Sequence, residues 1–176
     1  MRINENEFAE MESKIKDYYR NINLIKAKEK QIEFYKNRLQ RIDEDIIRLN
    51  NNLSLNPDIH GVAYDGIKVS GGILSSSMER QIDNIYDKLE NEKDRLNEII
   101  CTARYDIRRI EEKNDSLREI MLLLSDDNRK ILELRYIKNY SYERIAEEVL
   151  LSKSNVVRRI NQMIEELWLI SKFYMN

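Results

Sequence analysis

The stretch that decides the fold is LSDDNRKILELRYIKNYSYERIAEEVLLSKSNVVRRI, residues 124–160. Three serines punctuate it, each ahead of a helix-like run. Ser125 stands before Asp126 and Asp127, which fits an N-cap with acids in the first turn, where the helix dipole favours negative charge. A first helix is expected from there to about Lys138, with Ile131, Leu132, Leu134, Tyr136 and Ile137 as its apolar residues. Asn139 suits a left-handed stop. Ser141 then caps a short helix over residues 142–149, with Ile145 and Ala146 inward and the small Ala146 allowing a close crossing. Leu150-Leu151-Ser152 makes a turn, and Ser152 caps a third helix whose inner stripe is Val156, Ile160, Met163, Ile164 and Leu167.

With Val156 and Ile160 anchored inward, the start of the third helix presents Ser152, Lys153, Ser154, Asn155, Val157, Arg158 and Arg159 outward. Between Ser152 and Ile160 there are three basic residues and no acid. Such a helix end is suited to the major groove of double-stranded DNA. Lys and Arg neutralise phosphates, while Asn pairs bidentately with adenine and Arg with guanine. Asn155 and Arg158 lie three apart and share a face, so they are the expected base readers; Lys153 and Arg159 are the expected phosphate contacts. The alternative is a three-helix structural bundle with a solvated basic face. Charge alone does not hold DNA here. The chain carries 30 basic and 32 acidic residues, a net of −2, and residues 125–176 carry nine basic and eight acidic. One module is therefore expected to bind weakly, with dimeric placement on two half-sites compensating.

Residues 124–160 resemble region 4 of bacterial sigma factors. Ser141, Tyr142, Ile145, Ala146, Ser152, Val156 and Arg159 match its "S-Y-x-x-I-A" and "S-x-x-x-V-x-x-R" pattern position by position. That family usually has Gly in the turn where this chain has Leu150, so the turn is expected to differ slightly, because a left-handed backbone strains Leu. Nearly the whole chain resembles phage and prophage late-transcription regulators of the RinA and ArpU type. The marks are an N-terminal helical region, a "Y-x-x-x-x-V" connector at Tyr64-Asp65-Gly66-Ile67-Lys68-Val69, the serines Ser75, Ser76 and Ser77, and the C-terminal motif. The resemblance implies a small phage-encoded regulator acting with the host RNA polymerase, an activator of late or packaging genes. No aromatic, basic set for melting a promoter is present, so a complete sigma factor is not expected.

Upstream the pattern changes. Met11, Tyr18, Ile25, Ile32, Leu39, Ile46 and Leu53 fall seven apart; a second row, Phe8, Ile15, Ile22, slips near Glu29 and resumes at Tyr35, Ile42 and Leu49. That is a heptad seam. The slip suggests a local change of packing or a polar layer. Residues 54–77 hold Pro57 and all four glycines and read as a connector, either a short hairpin around Asp65-Gly66 or an open loop. The heptads return at Ile82, Leu89, Leu96, Ala103, Ile110, Leu117 and Leu124, with Met78, Ile85, Ile99 and Ile120 beside them. Each segment spans about 70 Å as a helix, and matched lengths argue for an antiparallel hairpin. Ile47, Ile100, Ile107 and Met121 widen the stripe and point to a homodimer or higher oligomer.

The expected fold is thus all-α: a long antiparallel coiled-coil helical hairpin over residues 1–124, then a sigma-region-4-like helix-turn-helix over 125–176. Composition agrees, at 35% charged and 41% apolar with a single Pro. Cys101, the one cysteine, is expected to pack, and His60, the one histidine, to lie in a loop; neither builds a metal cluster or a nucleophile. No phosphate loop or paired-carboxylate pocket marks an enzyme, and no cofactor is expected. The opening residues lack a signal-peptide core and no apolar run spans a bilayer, so a cytoplasmic protein of a bacterial host cell, without membrane contact, is expected. Two other readings fit the same pattern: a small-terminase-like DNA-packaging subunit, and a structural coiled coil with no DNA role.

Overall fold

The computed structural model describes residues 3–55 and 77–174. The connector with Tyr64, Asp65, Gly66, Ile67, Lys68 and Val69, together with His60, Ser75 and Ser76, lies outside them, as do the side chains of Leu53 and Met78. Five helices follow in order: α1 (Glu5–Leu55), α2 (Ser77–Leu122), α3 (Asp126–Tyr136), α4 (Tyr142–Glu148) and α5 (Lys153–Tyr174). No strand occurs among the described residues.

Helix α1 starts on a capping box. Asn4 Oδ1 accepts the Glu7 backbone N–H at 2.9 Å, and Glu7 Oε2 accepts that of Asn4 at 3.0 Å, which satisfies two donors that the helix itself leaves open. The helix then runs 51 residues without Pro or Gly. Such a length is stabilised by packing along its seam more than by propensity.

The chain divides into two compact units, Met1–Glu29 with Tyr105–Asn176, and Lys30–Arg104. The first break falls at the slip in the α1 seam, where Glu29 is exposed. In the smaller unit Ile42, Ile46 and Leu96 form a buried cluster with Tyr35, Leu39 and Leu89 packed on it. Arg38 pairs there with Glu92, and Lys93 with Asp43 at 2.7 Å. In the larger unit Asn21 Nδ2 donates to Asn114 Oδ1 at 2.9 Å and Lys28 Nζ to Asp106 Oδ2 at 2.7 Å. In the larger unit Asn21 meets Asn114 and the later Lys28 meets the earlier Asp106, so the two helices run antiparallel there. Asn114 is buried, and its Nδ2 also donates to the Tyr18 carbonyl. It and Lys28–Asp106 are the polar steps near the slip. A buried polar pair of this kind penalises a shifted register, since the alternative leaves an amide without a partner.

The larger unit has one core. Met11, Ile15 and Tyr19 from α1, Leu117, Ile120 and Met121 from α2, and the inner faces of α3, α4 and α5 all belong to it. Tyr19 stacks on Tyr136, with ring centroids 6.1 Å apart, and the Tyr136 hydroxyl donates to Glu12 Oε1 at 3.1 Å. Burial, then the Glu12 charge, pushes the Tyr136 phenol well above its ordinary pKa, so it stays a donor. The apolar C-terminal stretch is covered within the chain: Leu167 and Trp168 are buried, while Phe173 is exposed. Of the residues expected to widen a partner surface, Ile100 and Met121 are buried here and Ile47 stays exposed. Cys101, expected to pack, is exposed on α2.

Two outcomes follow. Leu96→Ala, which removes a buried seam residue, should cost about 2 kcal/mol or more, whereas Ile85→Ala, at a position 45% exposed, should cost under about 0.5 kcal/mol; denaturant melts compare them. A fragment of residues 125–176 alone should melt without a cooperative transition, because it lacks the α1 and α2 residues that complete its core. A sharp melt of the fragment would support 124/125 as a domain boundary.

Candidate nucleic-acid interface

Three serine hydroxyls cap the C-terminal helices as expected. Ser125 Oγ accepts from the Asn128 N–H at 3.4 Å, Ser141 Oγ from that of Arg144 at 3.3 Å, and Ser152 Oγ from that of Asn155 at 3.2 Å. Each cap fixes where its helix begins, and the Ser152 cap fixes which residues open α5.

Between α4 and α5 the chain turns through a Schellman motif. The Leu151 N–H donates to the Ala146 carbonyl at 2.9 Å and the Leu150 N–H to the Glu147 carbonyl at 3.4 Å. Leu150 sits at φ 54°, the left-handed position that Gly usually fills. The expectation that a non-glycine residue would alter this turn is therefore wrong: the two hydrogen bonds hold the left-handed backbone despite the Cβ. The Leu150 side chain is 91% exposed, so it gains little from packing. Asn139, also at φ 54°, ends the α3 region as expected.

Helix α5 buries Val156, Ile160, Met163, Ile164 and Leu167, and its opposite side is open. Ser152, Lys153, Ser154, Asn155, Arg158 and Arg159 are exposed and Val157 is half-buried. Lys153, Ser154, Val157 and Arg158 share one shallow surface with Asn161 and Gln162. Arg159 lies elsewhere, beside Asp127, Lys130, Glu148 and Leu150, in a depression between α5, α3 and the turn. The seven expected residues are thus not all on one patch. Asn161 and Gln162 extend the open surface by a turn. Their signal was in the sequence, three and four places beyond Arg158. Glu165 closes that surface with an acid.

The basic side chains differ in what they touch. Lys153 Nζ lies 2.5 Å from Glu143 Oε1 on α4. No carboxylate pairs with Arg158 or Arg159 among the described residues. Arg135 donates to the Tyr140 carbonyl at 3.0 Å and lies over the Tyr142 ring at 4.4 Å; Arg144 lies over the Tyr140 ring at 3.8 Å. These two arginines brace the α3–α4 connection. The geometry offers an exposed helix face with hydrogen-bonding and cationic groups. No group of three or more His, Cys, Asp or Glu that could hold a metal occurs among the described residues. No described helix is long and apolar enough to cross a membrane.

Residues 114–167 match the family model described as Sigma-70, region 4. The match takes in the end of α2, all of α3 and α4, and α5 as far as Leu167. No curated protein and no solved structure matches the chain. The C-terminal part is therefore a sigma-region-4-like helix-turn-helix, a DNA-binding module rather than a catalytic one.

If the turn carries left-handed strain, Leu150→Gly should raise stability by up to about 1 kcal/mol, the backbone relief being partly offset by the entropy of a glycine in the unfolded chain. Leu150→Val, β-branched at the same φ, should lower it. Thermal melts of the two variants moving in the same direction would count against strain at this turn.

Proposed function

We propose that this chain, whose C-terminal third carries a sigma-region-4-like module, is a phage-type, sequence-specific DNA-binding regulator of transcription. It reads double-stranded DNA through the start of α5 and acts as a homodimer or higher oligomer, activating late or packaging genes together with the host RNA polymerase. The observation that carries the reading is the exposed first two turns of α5. Six of its seven expected contact residues are solvent-exposed, without an acid among them, on a helix whose other side is locked into the core. Phosphate contacts position such a helix and base-edge contacts select the sequence.

Asn155 and Arg158 are the proposed base readers. Lys153, Arg159, Ser152 and Ser154 are the proposed backbone contacts, with Val157 against an apolar base edge. Arg158 is exposed on this face, and Asn155 stands close to the capped helix end. The near balance of charge in the module supports use of two copies, since each neutralises few phosphates. Ile47, Phe34 and Tyr105 are exposed apolar residues on the long helices that a second copy would cover.

Replacing Asn155 or Arg158 with Ala should cost about 1–3 kcal/mol of specific binding and relax preference at one base position. Binding is read by gel shift on a site found by a genome-wide footprint of the tagged protein. A folded Asn155→Ala/Arg158→Ala double variant that binds as well as the parent would refute the assignment. A footprint confined to a packaging site, with none at promoters, would refute the transcriptional role.

A further inference from the structure

Lys153, the first residue of α5, reaches back to α4. Its ammonium and the Glu143 carboxylate are in contact although both side chains are more than half exposed, at 60% and 56%. Glu143 is held by more than this one partner. The Lys153 ammonium, then its own backbone N–H, then the Ser141 hydroxyl keep its pKa down to about 2. The carboxylate is therefore ionised wherever DNA is duplex. It also sits beside the helix end expected to meet the DNA backbone, and it offers Lys153 what a phosphate offers: an anionic oxygen at hydrogen-bond distance.

We propose that Glu143 is an internal stand-in for a DNA phosphate, occupying Lys153 in the free protein and limiting the sequence-independent part of its DNA affinity. The inference rests on α5 being the DNA-contacting helix. Binding then exchanges one anion for another at Lys153, so this contact adds little net affinity for any duplex. Arg158 has no ion-pair partner among the described residues, and Asn155 carries no charge to pair. Selection of a sequence is left to them, while non-specific binding, which comes from phosphate contacts, stays weak. The same pair ties α4 to α5 across the turn until DNA replaces it.

The test uses the full chain, a fluorescent duplex of random sequence, and anisotropy titrations over a salt series. Glu143→Gln keeps the size and the hydrogen-bonding oxygen but removes the charge, and Glu143→Ala serves as a second variant. Each should bind random duplex roughly two- to fivefold more tightly, the range for an exposed ion pair. Each should also steepen the salt dependence by about one unit, as a newly available cation would. Lys153→Gln alone should weaken binding to random duplex, since it removes a phosphate contact and leaves Glu143 unpaired, and it should abolish the gain when combined with Glu143→Gln. An unchanged affinity in both Glu143 variants would overturn the proposal. So would a gain that persists with Lys153→Gln, because removal of a negative charge would then suffice. If neither the parent nor any variant is retained by duplex at the lowest salt, the DNA-binding reading falls along with this one. Retention by the parent with additive variants overturns the stand-in alone.

Discussion

Val156, Ile160, Met163, Ile164 and Leu167 step along one side of α5, none of them more than 2% exposed. The direction of every outward side chain on that helix follows from their burial. A fully buried side chain of this size contributes about 1.5–3 kcal/mol relative to an exposed one, so rotating α5 about its axis would expose several at once. The Ser152 cap sets where the helix begins and the apolar stripe sets its rotation. Together they fix the outward direction of Ser154, Asn155, Val157 and Arg158.

That burial is completed from far away in the sequence. The two short helices α3 and α4 can enclose only part of α5, and the remainder is covered by Met11, Ile15 and Tyr19 of α1 and by Leu117, Ile120 and Met121 of α2. The Tyr136 hydroxyl on Glu12 and the Asn21–Asn114 pair add directional constraints to the non-directional apolar contact. Buried hydrogen bonds contribute modestly when made and cost more when left unmade. They therefore select one arrangement among several of similar apolar burial. The family match beginning at Asn114, inside α2, is consistent with this sharing of the core.

Much of this was legible in the residues. The heptad rows identified the inward positions of both long helices: Met11, Ile32, Ile46, Leu96, Ala103 and Leu117 are all buried. Period and burial are linked by helix geometry, so a pattern of three and four states which side faces a partner. The three serine caps were legible for a similar reason, since a hydroxyl on the residue just before a run accepts from the N–H three residues on, a donor the helix cannot satisfy. The Leu150 turn was not read correctly. Propensity assigns left-handed backbone to glycine, but the Schellman hydrogen bonds to Ala146 and Glu147 impose it on leucine. Cys101 was also misread: its apolar neighbour Ile100 is buried, and a single step along a helix rotates the next side chain by about 100° toward solvent.

By itself, then, the sequence determined the helical class, the inner stripe of each helix, the caps and the residues available to the outer face of α5, because these depend on local spacing. Only the tertiary structure decided which of those residues stand together. It separated Arg159, beside Asp127 and Lys130, from the surface shared by Lys153, Arg158, Asn161 and Gln162. It joined the start of α1 to the C-terminal core and set Lys153 against Glu143 across a turn. Those relations are distances between elements, and a linear pattern that repeats every three or four residues carries no term for the angle at which one helix crosses the next.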